Sequence, residues 1–155
     1  MAGSVERVAE ALRAAGVEAE IRRMPASTRT AEEAAAACGC EVARIVKSLV
    51  FRGAGSGTLT LLLVSGAHGA DPALAEAAAG EPLERADAKA VRRETGFAIG
   101  GVAPVGHVAP VRTLMDETLM AHPTVWAAAG APDAVFEIAP ESLLALTGAR
   151  LVRLA

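Results

Sequence analysis

One lysine in this chain stands where a lysine is costly. Lys47 lies inside the apolar run Ile45-Val46-Lys47-Ser48-Leu49-Val50-Phe51, which is β-branched and aromatic enough to read as a strand. Its lack of alternation predicts cover on both faces. A desolvated ammonium is expensive unless a partner meets it. An anionic or carbonyl-bearing ligand is one such partner; a glutamate of the chain is another, and the long stem can also carry the charge past a strand end into water. Further along, Gly100, Gly101 and Gly106 sit in Gly96-Phe97-Ala98-Ile99-Gly100-Gly101-Val102-Ala103-Pro104-Val105-Gly106-His107, a loop stiffened by Pro104. Glycine lets a backbone approach a ligand closely, and consecutive N–H groups in such a turn can bind a phosphate or the oxygen of a reacting ester carbonyl. The spacing is neither a dinucleotide nor a P-loop fingerprint, and such loops also simply turn corners. His107 adjoins the loop and is the histidine placed to act as a general base, with capping of the loop end as the alternative. Ser48 follows Lys47 but, one residue on in a strand, points to the opposite face. No protein nucleophile stands out, so water or a substrate hydroxyl is the expected attacker.

The elements that must position these residues are legible in outline. Val5, Val8, Ala9, Leu12 and Ala15 recur at helical spacing behind Ser4 as a cap, and Gly16 stops the pattern. A weakly alternating segment over residues 18–24 ends at Pro25 and predicts an edge strand. Thr30 opens a second helix, with Glu33 completing a capping box and Gly39 breaking it. Thr28 and Thr30, just ahead of that helix, are placed to line a pocket, although capping explains Thr30 equally well. The Lys47 strand then turns through Gly53-Ala54-Gly55-Ser56-Gly57 into a second apolar strand ending at Val64, and the two form the centre of a sheet. Asp71-Pro72 and Asp87 start two more helices. Short strands are predicted at residues 111–115, 124–127, 135–138 and 151–154, with a helix opened by Pro140-Glu141. Uneven strands interrupted by helices predict an α+β fold, and residues 1–155 show no linker or repeat, which predicts a single domain.

Composition narrows the function. Fifteen basic against eighteen acidic residues leave a net charge of −3, which argues against a long phosphate-backbone footprint, so no DNA partner is expected. With one Trp, three Phe and no Tyr, the chain lacks the stacking platforms of a general single-strand binder. Cys38 and Cys40 flank Gly39, too close for an ordinary local disulfide and without a second pair to complete a zinc site. No metal or cofactor is expected. The longest clean apolar stretch is Leu61-Leu62-Leu63-Val64 and the N-terminus lacks separate basic and apolar zones, so a cytoplasmic protein with no membrane segment is expected.

Four pieces in this order carry a resemblance: Thr30-Ala31-Glu32-Glu33-Ala34-Ala35, Arg44-Ile45-Val46-Lys47-Ser48-Leu49-Val50-Phe51, the glycine loop with its leading Thr95, and Ala128-Ala129-Gly130-Ala131-Pro132. Together they resemble the YbaK family, which includes free-standing ProX-type proteins and the editing domain inserted in bacterial prolyl-tRNA synthetases. The resemblance implies a mixed, mostly antiparallel, barrel-like sheet flanked by helices, and hydrolysis of amino acids wrongly attached to tRNA. It implies that Lys47 is the essential lysine, that Gly100 through Pro104 form the G-x-x-x-P loop, and that Gly130 belongs to a late pocket segment; for an ester whose oxyanion must be stabilised, the backbone N–H groups of Gly100 and Gly101 are the expected donors. A free-standing, trans-acting deacylase is implied. It would read the acceptor end of aminoacyl-tRNA, with prolyl-tRNA synthetase or an elongation factor as possible carrier. The cysteinyl-specific branch tends to carry a small polar residue just before the late glycine. Ala128 and Ala129 stand there instead, so the resemblance does not extend to cysteine specificity.

Overall fold

The computed structural model describes residues 3–155. Its centre is a hairpin of β2 (Val46–Gly53) and β3 (Leu59–Ser65), antiparallel with Lys47 opposite Val64. Every residue of β3 is buried, because Leu59, Leu61 and Leu63 enter the main core while Leu62 and Val64 enter a second cluster on the other face. That two-sided burial is what its unalternating sequence predicts. In β2 only the two end residues are fully buried and the rest are half-buried, so the cover expected on both faces of the Lys47 strand is only partial.

Around the hairpin the five-stranded sheet adds β4 (Leu83–Arg85), β5 (Arg112–Asp116) and β8 (Arg150–Val152) in the order β4-β2-β3-β5-β8. A second sheet has the order β1-β7-β6, from β1 (Ile21–Arg23), β6 (Val125–Ala128) and β7 (Ala134–Ile138). Pairings β3 with β5 and β5 with β8 are parallel, and the others are antiparallel. The fold is thus α+β with a mixed, mostly antiparallel arrangement. The sheet does not close as a barrel: an isolated bridge between Ile45 and Trp126 links the two sheets. Because β4 pairs with β2 at residues 51–53, the Lys47 end of β2 has β3 on one flank and an open seam toward β6 on the other.

Helices α1 (Ser4–Ala14), α2 (Ala31–Cys38), α3 (Pro72–Ala79), α4 (Ala88–Thr95) and α5 (Pro140–Thr147) surround the sheets. The Thr30 capping box is present, with Thr30 Oγ1 accepting from the Glu33 amide at 3.1 Å and Glu33 Oε1 from the Thr30 amide at 3.2 Å. Asp71 and Asp87 cap α3 and α4 through their carboxylates. Ser4 is not a cap: Gly3 holds that position and no side chain bonds the helix start. β4 and the 3-10 turns at Val42–Arg44 and Glu117–Ala121 have no counterpart in the sequence expectations. Among the described residues no helix is long and apolar enough to cross a membrane.

Candidate functional site

A cavity of about 400 Å³ opens in the seam between β2 and β6. Residues 28–32, leading into α2, form one wall, and Ile99 and Gly100 of the glycine loop form another. The floor is apolar, since Ile45, Trp126, Val135, Ala31 and Ala34 pack into one buried cluster. Of the residues discussed in the sequence, Lys47, Gly100, Thr28 and Thr30 line this cavity together, and so does Ser48.

Lys47 is half-buried and shares its strand face with Leu49 and Phe51. Among the described residues it enters no ion pair, although Glu32 lines the same cavity. Pairing with a glutamate therefore does not account for it. Ser48, on the opposite face with Val46 and Val50, has its Oγ buried without a hydrogen-bond partner. The Thr28 amide and hydroxyl both donate to the Pro132 carbonyl, at 2.7 and 2.8 Å. This clamps the wall onto the segment after β6. The Thr30 hydroxyl is occupied as the cap.

The glycine loop splits its two central residues. Gly100 is exposed at φ +96°, and its amide makes no backbone hydrogen bond among the described residues. Gly101 is buried, does not line the cavity, and donates its N–H to the Ala98 carbonyl at 3.0 Å. Of the expected pair of backbone donors, only Gly100 stands at the cavity with its amide uncommitted.

Pro104 and His107 lie elsewhere, lining a second depression of about 650 Å³ that holds no Lys, Arg, Asp or Glu. His107 Nε2 is 2.8 Å from the Ala103 carbonyl, so Nε2 carries the proton and donates. Its ring meets Phe97 edge-on at 6.0 Å. Burial pushes its pKa below the ordinary histidine value, opposed by the Ala103 bond. Gly130 is a packing position, at φ +97°, where a Cβ would lie 2.8 Å from the Ser4 carbonyl oxygen. Its neighbour Ala128 does line the cavity.

Arg29 and Trp126 are cavity residues that the sequence did not single out. Arg29 sits between the two threonines, so the pattern around α2 carried a signal; Trp126 is on a four-residue strand and carried none beyond being the chain's one tryptophan. Burial, then the neighbouring Cys40, pushes the Cys38 thiol up to about 11, which leaves it protonated and a poor nucleophile. Among the described residues no three His, Cys, Asp or Glu side chains gather as a metal site would require.

Residues 25–146, spanning Thr28 through Gly130, match the model of the aminoacyl-tRNA editing domain. The chain belongs to this family. An editing domain of this kind is an aminoacyl-tRNA deacylase, a hydrolase acting on the ester between amino acid and tRNA. The domain's relatives include the uncharacterized protein YwhH of Bacillus subtilis (strain 168), 30% identical over 81% of this chain and 80% of that one. EbsC of Enterococcus faecalis (strain ATCC 700802 / V583), provisionally named a Cys-tRNA(Pro)/Cys-tRNA(Cys) deacylase, is 27% identical over 81% of this chain and 76% of its own. A crystal structure provisionally named a trans-editing enzyme for prolyl tRNA synthetase superposes on this editing domain with a TM-score of 0.92 at 49% identity, covering 99% of this chain and 98% of that one.

Proposed function

We propose that the cavity beside Lys47 takes the aminoacylated 3′ end of a misacylated tRNA, foremost tRNA-Pro, and that the chain hydrolyses the ester in trans. The observation that carries this reading is Lys47, in no ion pair among the described residues, at a cavity with an apolar floor that Gly100 also lines. Trans action is supported by end-to-end similarity to the structure named a trans-editing enzyme, and tRNA-Pro by the names of two relatives.

The chemistry is ester hydrolysis. A water oxygen attacks the ester carbonyl carbon, the carbonyl oxygen takes up negative charge, and collapse expels the ribose oxygen. That oxygen leaves with the proton shed by the water, giving free amino acid and tRNA. The Gly100 N–H stabilises the oxyanion, and Lys47 holds the terminal phosphate or the charge that develops on the substrate. Gly101 supports the turn, while Thr28 and Thr30 shape the wall that faces the substrate. Ala127, Ala128 and Val135 line the cavity with apolar side chains; with the amino acid's side chain seated against them, selection is by size, worth about 1–3 kcal/mol per methylene.

A panel of misacylated tRNAs tests the proposal. The wild-type protein is expected to release a small noncognate amino acid from tRNA-Pro well above the spontaneous rate. Binding without release across the panel would instead make this a non-catalytic aminoacyl-tRNA module.

A further inference from the structure

Beside the cavity, across Ile99, runs a second groove of about 440 Å³ lined by Ala88, Lys89, Arg92, Arg93, Ala98 and Ile99. Ile99 is 58% exposed and lines both depressions, so the groove begins where the cavity's rim ends. Positions 89, 92 and 93 lie on one face of α4, since residues three and four apart are helix neighbours. Lys89 and Arg92 enter no ion pair among the described residues. Arg93 has a 3.6 Å contact with Glu94, whose carboxylate is held more closely by Arg52 at 2.6 Å.

Helix stability explains part of this cluster and not the rest. Arg92 and Arg93 are in the last turn of α4, where the helix dipole favours cations; Lys89 is in the first turn, where it disfavours them. Three exposed cations on one face of a chain whose net charge is −3 form a local exception, and a polyanion is their complement.

We infer that this face of α4 binds the backbone phosphates of the tRNA acceptor end, just upstream of the nucleotide whose ester enters the cavity. The inference rests on the deacylase reading above, because it is the nucleotide in the cavity that sets the path of the strand. A chain of phosphates leaving the cavity over Ile99 meets Lys89, Arg92 and Arg93 next. The contact is sequence-independent: it adds affinity and register, and the ester site does the selecting.

The test compares wild type with the Lys89→Gln/Arg92→Gln/Arg93→Gln variant and with Arg153→Gln, an exposed charge beyond edge strand β8. Thermal melts confirm that each is folded, and Lys89→Arg provides a charge-retaining variant. Binding of fluorescent deacylated tRNA is measured across a salt series, and hydrolysis is measured on misacylated tRNA and on the same amino acid esterified to adenosine alone. In the triple variant, affinity for tRNA is expected to fall by about tenfold or more and the log–log salt slope to shrink by roughly 0.7–0.9 for each phosphate no longer neutralised. Turnover of aminoacyl-adenosine is expected to stay unchanged, as is everything in Arg153→Gln and Lys89→Arg. Unchanged tRNA affinity and salt slope in the triple variant would overturn the inference. So would an equal loss on aminoacyl-adenosine. If wild type hydrolyses neither ester, the deacylase reading fails, while the tRNA-binding arm still decides what the groove does.

Discussion

Arg29 lies against Gly100: a carbon placed on that glycine would come within 3.3 Å of Arg29 Cγ. The contact brings the wall ahead of α2 against the tip of the glycine loop, so two sides of the cavity meet at this pair of residues. Gly100→Ala puts a methyl into that contact at φ +96°, a backbone region that costs a non-glycine residue about 1–3 kcal/mol. Deacylation is expected to fall by about tenfold or more, because both the amide and the Arg29 wall shift.

Gly101→Ala separates activity from packing. Its φ is not in the left-handed region, but its new methyl would sit 3.2 Å from the Ala131 carbonyl carbon in a buried site. Overpacking of this kind costs about 1–3 kcal/mol. A lowered urea midpoint, with the catalytic constant of the folded fraction largely kept, is the expected outcome.

His107 makes stability fall in mild acid. Its native pKa is lowered, first by burial, whereas in the unfolded chain the imidazole protonates near the ordinary value of about 6.5. As pH drops from about 6.5 toward the native value, the unfolded state binds more protons and stability declines; above that window the contribution is constant. His107→Gln is expected to flatten urea midpoints measured between pH 7.5 and 5.5 (about one unit either side of that value), while leaving the pH–rate profile of deacylation unchanged.

Glu81 staples the β2–β3 turn and sets a lower acid limit. The Ser56 hydroxyl first, then the Ser56 amide, with Arg112 and the Gly55 amide adding, draw its pKa from 4.5 down to about 2. With a depressed native pKa, the stabilisation is complete above the unfolded value and is lost as pH falls from about 4.5 to about 2. Glu81→Gln is expected to remove that acid transition, and to speed amide exchange at Gly55 and Ser56, which donate to its carboxylate at 2.9 and 2.7 Å.

What the sequence made legible were features written in local chemistry. The Thr30 box, the Asp71 and Asp87 caps and the apolar β2–β3 hairpin each involve neighbours in the chain. Lys47 was visible because a charge interrupts an apolar run. β4 was not: it is three residues long and gains its identity from pairing with β2. Nor was the fate of the glycine loop, where a local bond to Ala98 takes the Gly101 amide and Gly106, at φ +82°, precedes His107 on its way to the other depression. Trp126 reaches the cavity where the two sheets meet at its bridge to Ile45, which no single segment encodes.

The central claim is that the Lys47 ammonium acts on the ester end of a bound tRNA. Single-turnover deacylation of misacylated tRNA-Pro by Lys47→Ala and Lys47→Met measures it most directly. Both variants should stay folded, since removing a half-buried unpaired cation relieves a desolvation cost. The rate is expected to fall by about 10²–10³-fold, the loss typical of one preorganised stabilising group. Hydrolysis at the wild-type rate by either folded variant would contradict the account.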